Sequence, residues 1–169
     1  SLSEDEAITI STRLGKMLNA NGQKQIFKKT DSVLRGHIVS ELNALMETIG
    51  VRQALLLPQN PSRERIIHEG IYYINNIPLN ETSFSYDPEF PATTANIVDY
   101  FNKKISLLPP REQINANGIH IVNASTPGEV MFYASSLTNR VLPAGGADFF
   151  THYLLAKGYE LKDQQVAFN

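Results

Sequence analysis

The sequence predicts an α/β domain with three layers: a mostly parallel sheet, helices on both of its faces, and an inserted β-hairpin. Short apolar runs alternate along the chain with longer segments whose apolar residues recur at helical spacing. The run 54–58 is apolar throughout, which is typical of a strand buried on both faces of a parallel sheet. Two further runs, 71–74 and 77–79, flank Asn75 and Asn76, which tolerate the left-handed backbone of a tight hairpin turn.

Composition restricts the class of protein. The 169 residues are enough for one domain, and 42% hydrophobic with 19% charged residues is ordinary for a globular chain. A pI near 6.1 argues against a protein that coats nucleic acid. No apolar run approaches the roughly 18 residues of a membrane helix, and the acidic first residues are unlike a signal peptide. The absence of cysteine fits a reducing compartment, so we expect a cytoplasmic protein.

The first half of the chain contains two predicted helices. Ser3 and Glu6 form a capping box, and helical spacing continues from there to Asn21. Ile26 and Phe27 predict the first strand, and a polar turn leads to a second helix that starts near Gly36. The predicted buried face of that helix consists of Ile38, Leu42, Leu45, Met46 and Ile49.

The second half continues the alternation. Helical spacing over 97–105, closed by two prolines, predicts a third helix, and 111–118 is a predicted surface loop. A strand over 119–123 precedes Thr126 and Glu129, whose spacing predicts a capped helix. The N-terminus of this helix could bind an anion, but capping alone explains the two residues and is favoured. The last strand and helix are joined by paired glycines, and the helix ends near Gly158.

The polar turn before the second helix is a candidate anion site. A helix that follows a strand presents unpaired N–H groups and the positive end of its dipole. The stretch 24–35 places four cations there against one acid, Asp31; the cations are Lys24, Lys28, Lys29 and Arg35. Arg35 could grip a carboxylate, and Asp31 and Ser32 could bind sugar hydroxyls. The alternative is a solvated strand end followed by ordinary turn residues, and the residues alone leave both readings open.

Two other segments are candidates because strands end there. Asn60, Pro61 and Arg65 belong to a predicted polar loop after the run 54–58, and open α/β sheets bind ligands at the carboxyl ends of their strands. Gly145 and Gly146 would allow a backbone to approach either a ligand or a neighbouring strand. The four histidines are scattered without ligand spacing, so no metal site is predicted.

Two stretches carry a resemblance to a known family. The run KKTDSVLRGHIVSELNAL resembles the KK-x-DS-x-LRG-x-x-x-x-E-x-x-A signature of the four-carbon acid sugar kinases. An N-P loop with a downstream Arg, a hairpin, an E-T and a D-P-x-x-P resemble the same family, with Asn76 and Glu64 standing where the family has glycine. The matching residues are Lys28, Lys29, Asp31, Ser32, Leu34, Arg35, Gly36 and Glu41, then Asn60, Pro61, Arg65, Gly70, Pro78, Leu79, Glu81, Thr82, Asp87, Pro88 and Pro91.

The resemblance implies an acid-sugar-binding domain over residues 1–158 and a tail, 159–169, that leads toward an absent nucleotide-binding domain. The family's opening strand and its A-D-D-x-T-G-A motif do not occur in these 169 residues. The whole protein would be a kinase that uses ATP and Mg²⁺ to phosphorylate a four-carbon sugar acid such as threonate, erythronate or an oxo-tetronate. From the resemblance, the base that activates the hydroxyl is expected in the absent motif and not among these residues. The catalytic residue is therefore unknown, and this piece alone is expected to be inactive.

The same resemblance assigns roles to the candidate residues. Arg35 is the expected carboxylate clamp, Asp31 and Ser32 the hydroxyl contacts, and Lys29 an electrostatic partner. Further substrate-side contacts are expected from Arg65, Gly145 and Gly146. The alternative function is a non-catalytic module that binds a small anion or docks to a partner. Assembly into a homo-oligomer is left open.

Overall fold

A computed structural model describes residues 2–23 and 25–160. Within those ranges the chain forms five α-helices, a five-stranded parallel sheet and a three-stranded antiparallel sheet. The helices are α1 (Glu4–Ala20), α2 (Ile38–Ile49), α3 (Ile97–Tyr100), α4 (Pro127–Ser136) and α5 (Ala147–Ala156). The strands are β1 (Lys28–Lys29), β2 (Gln53–Leu57), β3 (Arg65–His68), β4 (Ile71–Ile74), β5 (Ile77–Pro78), β6 (Ser106–Leu108), β7 (Gly118–Val122) and β8 (Val141–Gly145).

The parallel sheet has the strand order β1-β8-β2-β7-β6, with β2 at its centre. Side chains of a strand point alternately to the two faces. Ala54 and Leu56 accordingly pack with the residues of α2, while Leu55 and Leu57 pack with those of α4 and α5. Helices therefore cover both faces of the sheet, which confirms the predicted three-layer α/β class and explains why the run 54–58 is apolar throughout.

Local capping follows the sequence closely. The Ser3 hydroxyl accepts a hydrogen bond from the Glu6 N–H, and the Glu6 carboxylate accepts one from the Ser3 N–H, so both halves of the predicted capping box are present at α1. Helix α2 ends at Gly50, whose φ of 75° is the left-handed conformation that glycine adopts readily. None of the helices in the described ranges combines the length and hydropathy that crossing a bilayer requires.

The predicted hairpin belongs to a small three-stranded sheet in the order β3-β4-β5. Its turn residues Asn75 and Asn76 have φ values of 51° and 62°, which confirms the left-handed turn. The third strand of this sheet, β3, was not predicted: Arg65 was expected in a polar loop and is instead the first residue of β3. Pairing with β4 places Arg65 in a strand, and the local sequence does not indicate that pairing.

The left-handed conformation of the hairpin turn leads to a prediction about the stability of turn variants. We expect Asn76→Ala to lower the free energy of unfolding by about 1 kcal/mol, because alanine pays a steric cost in the left-handed region that asparagine partly avoids. Asn76→Gly should change that free energy by less than about 0.5 kcal/mol, since glycine adopts the conformation freely. Urea unfolding followed by circular dichroism measures both. Equal values for the two variants would contradict the argument.

Two other boundaries differ from the prediction. The first strand was expected at Ile26 and Phe27, but the paired residues are Lys28 and Lys29, opposite Ala144 and Gly145 of β8. The Phe27 ring instead packs against aromatic rings of α5, so its apolar character reflects side-chain burial and not strand pairing.

The prediction of a helix over 97–105 is wrong beyond Tyr100. Asn102 and Lys103 have φ values of 50° and 60°, which end α3, and the chain then enters β6 beside β7. An apolar spacing of three or four residues could not distinguish one short helix and an edge strand from a longer helix.

Candidate functional site

The candidate residues meet at one end of the parallel sheet, beyond the carboxyl ends of its strands. Because all five strands run in the same direction, the segments that follow β1, β8 and β2 lie side by side at their carboxyl ends. The chain leaves β1 toward α2 on one face and leaves β8 toward α5 on the other. Open α/β sheets usually bind ligands outside such a divergence, and we name the region beyond the ends of β1 and β8 the crevice for this reason.

The polar turn 30–36 forms one wall of this crevice. Its first N–H, from Thr30, donates to the Gly145 carbonyl at 2.9 Å, and the Leu34 N–H donates to the Asp31 carbonyl at 3.2 Å. Leu34 has a φ of 69°, which is unfavourable for a leucine, yet its side chain is only 1% exposed. Burial of this side chain offsets the backbone strain.

Ser32 is held from two sides by the small sheet. Its hydroxyl accepts a hydrogen bond from Nη1 of Arg65, and its carbonyl accepts one from the hydroxyl of Tyr72. Burial is the main cause that raises the pKa of Tyr72, so this hydroxyl remains a donor. The fold thus brings together Arg65 and Ser32, two predicted site residues 33 positions apart in the sequence.

Arg35 lies at the rim of the crevice between two carboxylates. Its Nε donates to Oδ2 of Asp31 at 2.6 Å, and its Nη1 lies 3.9 Å from Oδ2 of Asp87. The hydrogen bond from Arg35 to Asp31 and the charge of that carboxylate raise the pKa of Arg35. The side chain is 48% exposed, so the guanidinium has room for a further partner. Arg35 and Asp31 act as a pair and not as independent groups.

Asp87 joins the site although sequence reasoning gave it no role. Its carboxylate accepts hydrogen bonds from the N–H groups of Phe90 and Glu89, which lower its pKa. It therefore carries a full negative charge near Arg35 at neutral pH. The signal that could have found it is the D-P-x-x-P motif, in which Asp87 was matched without a function.

The charge balance of the site is less positive than the sequence count suggested. Lys28 forms an ion pair with Glu41 of α2, and Arg35 lies near Asp87 in addition to Asp31, the acid already counted. The exposed Lys29 bends back to donate to the Thr30 carbonyl at 2.7 Å. Lys24, which was counted among the four cations, lies outside the described residues. The expectation of an excess of three positive charges is therefore corrected, because partners from other turns and helices neutralise part of it.

The paired glycines are packed against β2 and the residue that follows it. A Cβ on Gly145 would lie 2.1 Å from the carbonyl oxygen of Leu57, and a Cβ on Gly146 would lie 2.6 Å from that of Pro58. The Gly146 N–H also donates to the Leu57 carbonyl at 3.0 Å. Of the two roles that the sequence left open, close approach to a neighbouring strand accounts for both glycines, and contact with a ligand remains a prediction.

Two cavities lie beyond the carboxyl ends of the strands. One, of about 320 Å³, is lined by Leu34, Gly36 and His37 at the start of α2, where no side chain caps the helix. The other, of about 730 Å³, lies at the start of α4. There burial opposes ionisation of Glu129, but hydrogen bonds from Ser125 and Thr126 outweigh it and lower the pKa of this residue. A carboxylate already occupies the N-terminus of α4, so the predicted capping role is confirmed.

Comparison with known proteins covers most of the chain. A family model described as "Sugar-binding N-terminal domain" matches residues 1–131. D-threonate kinase of Bordetella bronchiseptica is 35% identical over 81 residues, which are 47% of this chain and 20% of that protein. 3-Oxo-tetronate kinase of Brucella melitensis is 32% identical over 97 residues, which are 55% of this chain and 22% of that protein. The aligned part of this chain thus spans about a fifth of each of these two relatives.

The fold itself has solved counterparts. A domain of unknown function from Bordetella bronchiseptica, described as a domain-swapped dimer with bound citrate, superimposes with a TM-score of 0.81 at 24% sequence identity. The superposition covers 92% of this chain and 42% of that one. At this level of identity the likeness establishes the architecture, and the sugar-binding match rests on the family model.

Proposed function

The chain belongs to the family of sugar-binding N-terminal domains, and from that membership we propose that it is the acid-sugar-binding part of an ATP-dependent kinase. The substrate class proposed is a four-carbon sugar acid of the threonate, erythronate or 3-oxo-tetronate type. We propose that the kinase as a whole uses ATP and Mg²⁺. We also propose that it is cytoplasmic and that it assembles as a homo-oligomer. Neither cofactor is assigned a ligand among the residues of this chain.

The observation that carries the proposal is the convergence of Arg65 with the turn that bears Asp31, Ser32 and Arg35. A four-carbon sugar acid has one carboxylate and several hydroxyls within a few ångströms. Two guanidinium groups can bind the carboxylate through charged hydrogen bonds. The carboxylate of Asp31 accepts hydrogen bonds from hydroxyls, and the Ser32 hydroxyl both donates and accepts them.

The negative charges of the site support selectivity among anions. Asp31 and Asp87 repel a second negative charge on the ligand, while Arg35 and Arg65 attract the first. A monocarboxylate rich in hydroxyls therefore fits this arrangement better than a phosphate or a dicarboxylate of similar size. Lys29 adds long-range attraction at the exposed rim.

Calorimetric titration of the chain with both enantiomers of threonate and erythronate, with 3-oxo-tetronate, and with the uncharged polyol threitol tests the proposal. We expect at least one of the acids to bind and threitol to give no heat, because threitol lacks the carboxylate that the guanidinium groups recognise. Binding of threitol with the same affinity, or no binding of any acid, would count against the proposal. If the parent protein binds the acid but transfers no phosphate from ATP, the non-catalytic module becomes the better description.

A further inference from the structure

Asp148, in the first turn of α5, ties the start of that helix to the segment after β2. Its carboxylate accepts two hydrogen bonds from Ser62, at 2.8 Å from the N–H and 2.7 Å from the hydroxyl. The N–H of Asp148 donates to Oδ1 of Asn60 at 2.9 Å. These contacts join residues 86 and 88 positions apart in the sequence, and the charged acceptor makes those to Ser62 stronger than neutral hydrogen bonds.

The segment that Asp148 holds leads directly into Arg65. Asn60 and Arg65 exchange two backbone hydrogen bonds, of 2.8 Å and 3.1 Å, which close a loop around the turn Pro61–Arg63. Glu64 completes the loop with a φ of 53°, an unfavourable conformation for a glutamate. Such a loop keeps its shape only if surrounding contacts hold it.

Two neighbouring structures hold the loop: the start of α5, and the hairpin, whose Asn75 N–H donates to the Glu64 carbonyl at 2.9 Å. Asn60 is buried, and its Oδ1 lies so close to Gly146 that a Cβ there would be 2.7 Å away. Ser62 is exposed, so apart from Asp148 its surroundings are largely solvent. The carboxylate of Asp148 therefore fixes the exposed Ser62, and the Asp148 N–H contacts the buried Asn60.

We propose that Asp148 is a positioning residue for the sugar-acid site: its carboxylate fixes the loop 60–65 and thereby aims Arg65 at Ser32. The inference rests on the proposed function, because it assigns Arg65 to substrate binding. Asp148 itself contacts the loop and not the ligand. Because Asp148 restricts Arg65 before a ligand arrives, Arg65 loses less conformational entropy when the ligand binds.

The test compares Asp148→Ala with a matched control, Asp5→Ala. Asp5 also lies in the first turn of a helix and is exposed, so the control removes the same charge from an equivalent helix end. We expect Asp148→Ala to weaken binding of the preferred tetronate about tenfold. Asp148→Asn, which keeps one acceptor oxygen, should fall between Asp148→Ala and the wild type. Asp5→Ala should bind as the wild type does.

A double-mutant cycle separates positioning from general destabilisation. If Asp148 acts through Arg65, Asp148→Ala should have no further effect on affinity when Arg65 is already alanine. An undiminished tenfold loss in the Arg65→Ala background would overturn the proposal. Wild-type affinity of the single variant Asp148→Ala, which keeps Arg65, would also overturn it.

An NMR measurement tests the positioning without a ligand. The side-chain Nε–H signal of Arg65 should move toward that of free arginine in Asp148→Ala and stay in place in Asp5→Ala. If no tetronate binds the wild-type chain but this signal moves as expected, the proposed function fails and the positioning by Asp148 stands. If the wild type binds and the signal does not move, the positioning fails and the proposed function stands.

Discussion

Replacing Arg35 with alanine is expected to weaken sugar-acid binding about 100-fold, through the loss of a charged hydrogen-bond donor and through a change in the local field. Arg35 lies between the carboxylates of Asp31 and Asp87. Its removal leaves two negative charges facing an anionic ligand, so the effect should exceed that of one lost contact. Calorimetric titration with the preferred tetronate measures the change.

Two variants make this result specific. Arg35→Lys keeps the charge but lacks the planar fork that binds a carboxylate through two parallel hydrogen bonds, so its affinity should be intermediate. Arg52→Ala removes the same charge just before β2, at the amino end of that strand and so at the end of the sheet away from the site. This variant should bind as the wild type does. Because exposed ion pairs contribute at most about 1 kcal/mol, Arg35→Ala should remain folded. Unchanged affinity in a folded Arg35→Ala variant would remove Arg35 from the site.

The second large effect is on stability. Gly145→Ala is expected to lower the free energy of unfolding by about 3 kcal/mol, because its Cβ would overlap Leu57 of the adjacent strand. The added carbon would lie 2.1 Å from the Leu57 carbonyl oxygen and 2.9 Å from Cδ1 of Phe149. Gly145 pairs with β1 on one side and β2 on the other, so its backbone cannot shift away from one neighbour without disturbing the other.

Gly128→Ala is the matched control for this substitution. A Cβ on Gly128, in the first turn of α4, would have the Thr126 hydroxyl as its nearest neighbour, at an ordinary distance of 4.0 Å. We expect its free energy of unfolding to equal that of the wild type or to exceed it by up to about 1 kcal/mol, because alanine has the higher helix propensity. The chain has no tryptophan, so urea unfolding is best followed by circular dichroism. Wild-type stability of Gly145→Ala together with lost binding would instead assign this glycine to the ligand.

The amino-acid sequence by itself determined the α/β class, the capping boxes of α1 and α4, the left-handed hairpin turn and the place of the polar turn before α2. These features depend on residues within about four positions of one another, and such spacings are visible in one dimension. The same locality explains two errors. An apolar pair at 26–27 and a helical spacing over 97–105 are compatible with more than one pairing, and β8 and β7 select the pairing that forms.

Only the tertiary structure decided which charges of the site are paired and how Arg65 is aimed. Lys28 meets Glu41, Arg35 comes near Asp87, and Asp148 holds Ser62, each across segments that the sheet and its helices bring together. The net field at the crevice is a sum over these distant partners, so a count of cations in one stretch overestimates it. Electrostatic interactions depend on distance in space, which local sequence does not contain.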